Sequence, residues 1–443
     1  MTAEAATRVF HAPELLQTIW SFQNGTHQDL LPFYALSNPS LNHRVPDFTL
    51  PFHQFEENDR VLAPWYATYN LTRLDRLFEH IQHAKPIVLS HAAFFGLKHV
   101  IEAIAASKYL PAVMAVDSLV DIAAARGDTD LLDFLRQYHR GYTKHTLRLA
   151  AYYGQRYVLE RFLPYSNLFS AQVMDSAAAG GQLELIQWFH ETQMSGFTAS
   201  VMDKAASNGH LHVVQWLHTH RDELCSIRSV AGAASNGNEH VVRYLFDHQL
   251  VSTCPTYGVD LAAGNGHLNV VKYFTEVRPL KCTRLAMDLA ARNGHLPVVR
   301  YLHEHRSEGC TVVAIDKAAA HGHADIVAFL TEHRKEGGTR RAMDRAAASG
   351  WLEVVKYLHE HRREGCTTSA MTMAALNGHL AVVQWLGENR REGCVTWTLT
   401  FAKDPAVVAC LRTLPPELIH EFHGLGLGRL LDEDDEEDDL SDA

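Results

Sequence analysis

An all-α solenoid built from stacked helical repeats is the fold this sequence predicts, and three observations predict it. A glycine recurs at Gly96, Gly127, Gly154, Gly181, Gly209, Gly237, Gly266, Gly294, Gly322, Gly350 and Gly378, mostly 28 residues apart. A small-residue pair such as Ala205-Ala206, Ala290-Ala291 or Ala346-Ala347 precedes it. Aliphatic pairs follow at four and five residues past it, for example Val213-Val214, Val241-Val242, Val298-Val299 and Val354-Val355. No single copy can bury its own apolar face, so the copies must bury it against one another.

Residues 1–60 break the period. His11 to Gln23 carries Leu15, Leu16, Ile19, Trp20 and Phe22 on one helical face with Pro13 at its start, an amphipathic helix that would cap the first repeat. Residues 40–60, with Pro46 and Pro51 and preceded by Pro39, read as an extended linker, and Trp65 to Ile81 reads as a degenerate first repeat. Repeats are then expected over 61–400.

Within each copy the alanine pair lets two first helices approach closely, at the best helix propensity available. The glycine ends that helix, because positive φ costs it nothing. Asn precedes it at Asn208, Asn236, Asn265, Asn293 and Asn377, as suits a helix end. Pro297 then sits in the first turn of the second helix, where no backbone donor is needed. Seven residues past the glycine stands an aromatic: Phe134, Trp188, Trp216, Tyr244, Tyr273, Tyr301, Phe329, Tyr357 or Trp385. Helical spacing makes this column a core ladder between repeats rather than a ligand stack. Residues 401–423, where the valine pair persists without the glycine, form a C-terminal cap, and 424–443 an acidic, disordered tail.

The columns resemble the ankyrin repeat: a helix with a central Ala-Ala, then Gly-His, Val-Val, and a second helix ending before a glycine-containing loop. The resemblance covers roughly Ser90 to Cys394. It implies an ankyrin-type solenoid that recognises proteins, and short Asp-bearing copies like these are similar to those in large ankyrin families of oomycetes and other protists. Two departures matter. The period is 28 where the family has 33, so the protruding β-hairpin finger should shrink to a short loop. Where the family has Thr-Pro-Leu-His, this chain has Leu285-Ala286-Met287-Asp288, Arg341-Ala342-Met343-Asp344 or Ser200-Val201-Met202-Asp203, so the aspartate should take over the lost hydrogen bonds. His210, His267, His295, His323 and His379 match the Gly-His position, where packing or capping is expected.

The net charge of −11 is concentrated in the run Asp432 to Asp439 with Asp442, leaving a nearly neutral body. Such a body sets up no global field for phosphate backbones, so nucleic acid is not the expected partner. The sequence holds no apolar run long enough for a membrane span and no secretory signal, so a cytoplasmic location is expected, with the nucleus as a second one. Neither a metal nor another cofactor is expected. His303 and His305, or His359 and His361, point apart on a helix, and no Cys-x-x-Cys, His-Glu-x-x-His, Gly-x-Ser-x-Gly or phosphate-loop motif accompanies them. Catalysis is therefore not expected either.

Cys225, Cys254, Cys282, Cys310, Cys366 and Cys394 share one register, with Gly338 filling the gap. Helices about 8–10 Å apart hold such cysteines beyond disulfide reach, so they should be free buried thiols. Past the glycine, acids at ten (Glu304, Glu332, Glu360, Glu388), arginines at twelve (Arg306, Arg334, Arg362, Arg390) and acids at fourteen (Glu308, Glu336, Glu364, Glu392) form a strip. It reads as a solvated face of alternating sign, with an Arg-lined groove for an acidic peptide as the second reading.

A monomeric scaffold for a protein partner is the expected function. Candidate contact residues are Ser207, Asn208, Ser235, Asn236, Arg292, Asn293, His321, Ser349 and Asn377 before the glycines, and Arg228, Arg284, Arg340 and Arg341 at the loop tips. The alternative rests on His11 to Gln23 and Asp29 to Ser37, which resemble the opening of an F-box. That resemblance implies a ubiquitin-ligase adaptor bound to a Skp1-like ligase subunit.

Overall fold

In a computed structural model, the chain is described over residues 28–39, 50–116, 118–138, 144–162, 170–194, 196–221, 225–393, 398–400 and 402–414. The amphipathic helix expected at His11 to Gln23 and the acidic run from Asp432 lie outside these residues. The chain divides into two compact units, residues 1–226 and 227–443. Among the described residues each unit is helical, without strands.

The first unit opens with a 3-10 helix, Gln28–Ala35, followed by α1 (Phe52–Tyr69) and α2 (Leu74–His80). The helix of α1 corrects the expectation of a linker up to residue 60. Prolines suggested extension, but Pro51 stands at the N-cap, where its missing N–H costs nothing, and Phe55, Asn58, Leu62 and Trp65 recur at helical spacing on the buried face. Phe33 packs edge-on to Trp65 at 5.3 Å and Asp29 pairs with Arg73 at 2.9 Å, so the 3-10 helix is seated on the unit's own core. Phe55 stacks on Phe94 of α3 (Ala84–Phe94) with 4.1 Å between ring centres. Helices α4 (Lys98–Ala105) and α5 (Leu110–Ala115) follow, and then three helix pairs of the repeat. These are α6 (Ser118–Arg126) with α7 (Thr129–Leu135), α8 (Lys144–Tyr152) with α9 (Arg156–Phe162), and α10 (Ala171–Ala179) with α11 (Leu183–Glu191). A fourth pair, α12 (Ala199–Ser207) with α13 (Leu211–His220), ends the unit.

The second unit repeats the pair six times. Its first helices are α14 (Ile227–Ser235), α16 (Thr256–Gly264), α18 (Leu285–Arg292), α20 (Val312–Ala320), α22 (Arg340–Ala348) and α24 (Thr368–Leu376). Its second helices are α15 (Glu239–Asp247), α17 (Leu268–Lys272, continued by a π-helical turn), α19 (Leu296–His305), α21 (Ala324–His333), α23 (Leu352–His361) and α25 (Leu380–Asn389). Helix α26 (Pro405–Thr413) covers the last pair.

Each pair closes as the glycine column requires. Gly294 has φ +83°, and the chain turns there through bonds from Gly294 N to Ala291 O and from His295 N to Ala290 O, the Schellman pattern. Ala290, Ala291, Ala318, Ala319, Ala346 and Ala347 are wholly buried where first helices meet. Trp188, Tyr273, Tyr301 and Phe329 of the aromatic column are buried and the others half-buried. The ring four residues on extends the ladder: Tyr301 stacks on His305 and Tyr357 on His361, and His303 meets Phe329 edge-on at 5.4 Å. The finger is indeed a short loop, Arg306 to Thr311, turned by Gly309 at φ +75°.

Candidate partner-binding surface

Three inter-repeat devices decide which polar side chains remain for a partner. The first is the aspartate column. Asp288 accepts the Thr311 amide at Oδ1 (2.8 Å) and the Thr311 hydroxyl at Oδ2 (2.7 Å), while Thr311 Oγ1 accepts the Val313 amide and caps α20. The same staple joins Asp260 to Thr283, Asp316 to Thr339 and Asp344 to Thr367. The aspartate thus takes the role expected of it.

The second device is the residue after the glycine. Nε2 of His210 donates to the Ala179 carbonyl at 2.9 Å and that of His323 to the Arg292 carbonyl at 3.0 Å. Gln155, Gln182 and Trp351 make the equivalent bond to Ala125, Tyr152 and Ala320. Each satisfies an orphan carbonyl at the C-terminus of the preceding first helix. Burial pushes the imidazolium forms of His210 and His295 down; the Ala179 carbonyl opposes this for His210, and neighbouring His267 and His323 reinforce it for His295. The folded chain therefore binds fewer protons there than the unfolded one, so this stability is present above the ordinary histidine pKa of about 6.5 and lost as pH falls through the depressed folded value. Urea midpoints should fall between about pH 7 and 5, and H210Q/H295Q, which keeps the bond as Gln182 does, should flatten that fall; an unchanged slope would refute the assignment.

The third device overturns both readings of the arginine strip. Arg306 Nη2 donates to the Leu280 carbonyl at 2.7 Å, to Glu308 at 2.9 Å and to the Cys282 sulfur at 3.3 Å. Arg334 pairs with Glu336, Arg362 with Glu364 and Arg390 with Glu392, and these four arginine side chains are only 12, 19, 19 and 18 % exposed. Arg334 and Arg390 also reach back to His303 and His359. Burial would raise the Glu336 carboxyl, but the Arg334 hydrogen bond and backbone amides hold it down at about 2. The strip is a seam between repeats, neither a solvated face nor a groove, because the short loop folds each guanidinium under its neighbour. Only the acids at position ten, such as Glu304 and Glu360, are exposed.

The cysteines Cys225, Cys254, Cys282, Cys310, Cys366 and Cys410 are free; Cys394 lies outside the described residues. Burial pushes the thiols of Cys254 and Cys310 up to about 12 and those of Cys282 and Cys366 up to about 11, which leaves them unreactive. Among the described residues no three His, Cys, Asp or Glu side chains gather as a metal site would require.

The candidate contact residues fall in two rows, at opposite ends of the first helices. Asn208, Asn236, Asn293, His321, Ser349 and Asn377 are exposed at the C-terminal ends, with Ser207, Ser235 and Arg292 half-buried beside them. Much of this row is engaged in capping: Asn293 donates to the Gly264 carbonyl, Asn377 to Ala348, and Ser235 accepts from Asn265. His321 bonds the Lys317 carbonyl of its own helix. Arg228, Arg284, Arg340 and Arg341 are exposed at the N-terminal ends. Ile227, Leu285, Val312 and Val313 lie among them, 37–54 % exposed.

Sequence reasoning missed Lys317 and Arg345, half-buried midway along α20 and α22; their signal is the column five residues before the glycine. With Arg228, Arg284, Arg292, Arg340 and Arg341 they make seven cations on the first-helix layer of the second unit. The carboxylates of that layer, Asp260, Asp288, Asp316 and Asp344, turn inward to the threonines. The acids Glu304, Glu332, Glu353, Glu360 and Glu388 sit on second helices. In this unit the first-helix layer thus turns only cations outward, whereas the second helices mix these acids with Arg243, Lys272, Arg300 and Lys356.

Stacked helix pairs with inward-facing staples and a variable outer row define a helical repeat protein. Residues 174–218 and 343–386 match the family model described as ankyrin repeats (many copies), and residues 231–316 and 259–341 match ankyrin repeats (3 copies). The chain is an ankyrin repeat protein. Repeats of this family generally mediate protein–protein interaction. No curated protein matches the chain. No described helix is long and apolar enough to cross a membrane.

Proposed function

We propose that the chain is a recognition scaffold, and that the first-helix layer of its second unit binds an acidic protein segment bearing aliphatic or aromatic anchors. The charge of this layer carries the reading: Arg228, Arg284, Arg340 and Arg341 are exposed and Arg292, Lys317 and Arg345 half-buried in a layer whose carboxylates turn inward, and Ile227, Leu285, Val312 and Val313 supply apolar contact beside them. Arginine beside apolar surface is the composition of interface hot spots. Catalysis forms no part of this reading.

The ligase-adaptor alternative depends on His11 to Ser37. Leu30 and Phe33 are wholly buried in the chain's own core, which supports a cap over a ligase-binding module. Absence of a Skp1-like subunit from captures of the full chain is the expected result.

Proximity labelling in cells with the full chain and with R284E/R340E/R341E tests the main reading. These three side chains are exposed, but Arg340 donates to the Glu364 carbonyl, so a melting temperature within about 4 °C of wild type serves as the control that the variant is folded. The labelled set of acidic proteins should drop at least tenfold; an unchanged set sinks the proposal.

A further inference from the structure

Exposed cations continue past the first helices into the loops of the second unit. Lys335, Arg363 and Arg391 stand thirteen residues past Gly322, Gly350 and Gly378, one on each successive loop, and all three are exposed. Arg340 donates to the Glu364 carbonyl at 3.2 Å, which sets the Arg363 loop beside the N-terminal end of α22. Arg284, Arg340 and Arg341 therefore share the loop end of the layer with these tips. Leu285, Val312 and Val313 lie exposed at the same helix ends. The chain leaves the last repeat here too: Leu414 rests against Gly387, in the last turn of α25.

Eighteen residues further on, the sequence carries eight consecutive acids, Asp432 to Asp439, with Leu430 and Leu431 before them and Leu440 after. That is an acidic segment with aliphatic anchors, the chemistry proposed above for this layer's partner. Eighteen residues span at most about 60 Å, whereas Arg284, three repeats back from α24, is about 30 Å away at about 10 Å per repeat. Eight acids drawn out cover about 27 Å, the length of those repeats. The exposed acids Glu332, Glu360 and Glu388 on the second helices repel such a run and leave it the first-helix side.

We infer that the chain's own acidic run occupies the cationic loop end of the first-helix layer, so that an external partner must displace it. The inference rests on the recognition reading above and adds regulation to it. A tether holds its segment at an effective concentration on the order of 1 mM, so a run that binds at about 0.1 mM weakens a competitor roughly tenfold.

Fluorescence anisotropy of a fluorescein-labelled peptide of residues 428–440 tests this on two full-length chains, wild type and E433Q/D434N/D435N/E436Q/E437Q. The amide variant should bind the peptide at least tenfold more tightly at ~50 mM salt, and the gap should shrink below about threefold at ~500 mM. Adding R284E/R340E/R341E to the amide variant should weaken the peptide at least tenfold; unchanged binding would put it elsewhere and overturn the inference. Equal affinity for the two chains overturns the inference while leaving the scaffold reading intact. No binding to either chain also overturns it, and the labelling experiment then decides the scaffold reading alone. Sedimentation should find wild type monomeric; a dimer that the amide variant does not form would seat the run on a second copy and overturn the intramolecular contact.

Discussion

Gly180→Ala should destabilise the first unit by about 3 kcal/mol or more, lowering its melting temperature by about 6–12 °C. Gly180 caps α10 at φ −84°, so no left-handed backbone is at issue. The obstacle is space. A Cβ there would overlap the Tyr152 carbonyl oxygen and lie 2.8 Å from its carbon and 3.1 Å from its Cα. All three atoms are backbone, which no rotamer change can move. Other repeats carry Asn at this position and reach the neighbouring carbonyl through its amide, as Asn293 does. Here Gly180 lets the helices close up, and Gln182 bonds both the Tyr152 and Gly180 carbonyls instead. Gly181→Ala fails for a different reason: φ is +72° and the His210 ring lies 2.5 Å from the added carbon, but that ring can rotate away. Calorimetry of the full chain should rank G180A below G181A. A G180A transition within about 2 °C of wild type would mean that the helices are not this close.

The second large effect concerns the staple. Asp288→Ala strands the Thr311 amide and hydroxyl together, and hydrogen bonds to a charged acceptor contribute about 1.5–3 kcal/mol each. Because Thr311 also caps α20, its misplacement loosens the next helix start. A loss of about 2–4 kcal/mol is expected. In a cycle with T311A the two changes should couple by about 1–3 kcal/mol, because the second substitution has little left to remove. Additivity within about 0.5 kcal/mol would show that the Asp–Thr pair contributes nothing of its own. Repeats touch only their neighbours, so the damage should appear as partial unfolding around α18 and α20.

The fold class was readable because its signals are local. A glycine forced to positive φ, an alanine pair and an aliphatic pair at helical spacing act within ten residues and recur eleven times. The aspartate's task was readable for a related reason: a buried acceptor column needs donors at a fixed offset. The α1 helix was obscured by the prolines around it, although Phe55, Leu62 and Trp65 carried the period.

By itself the sequence determined the period, the helix pair and the identity of the buried columns, since each follows from backbone sterics and apolar spacing. Tertiary structure alone decided where the charges go. Arg334 and Arg340 differ little as residues, yet one is folded under a neighbouring loop and the other faces solvent. Arg334 reaches His303, 31 positions back, and Arg340 the Glu364 carbonyl, 24 positions on; the stacking of helices brings these groups close, and a local pattern carries no record of that distance.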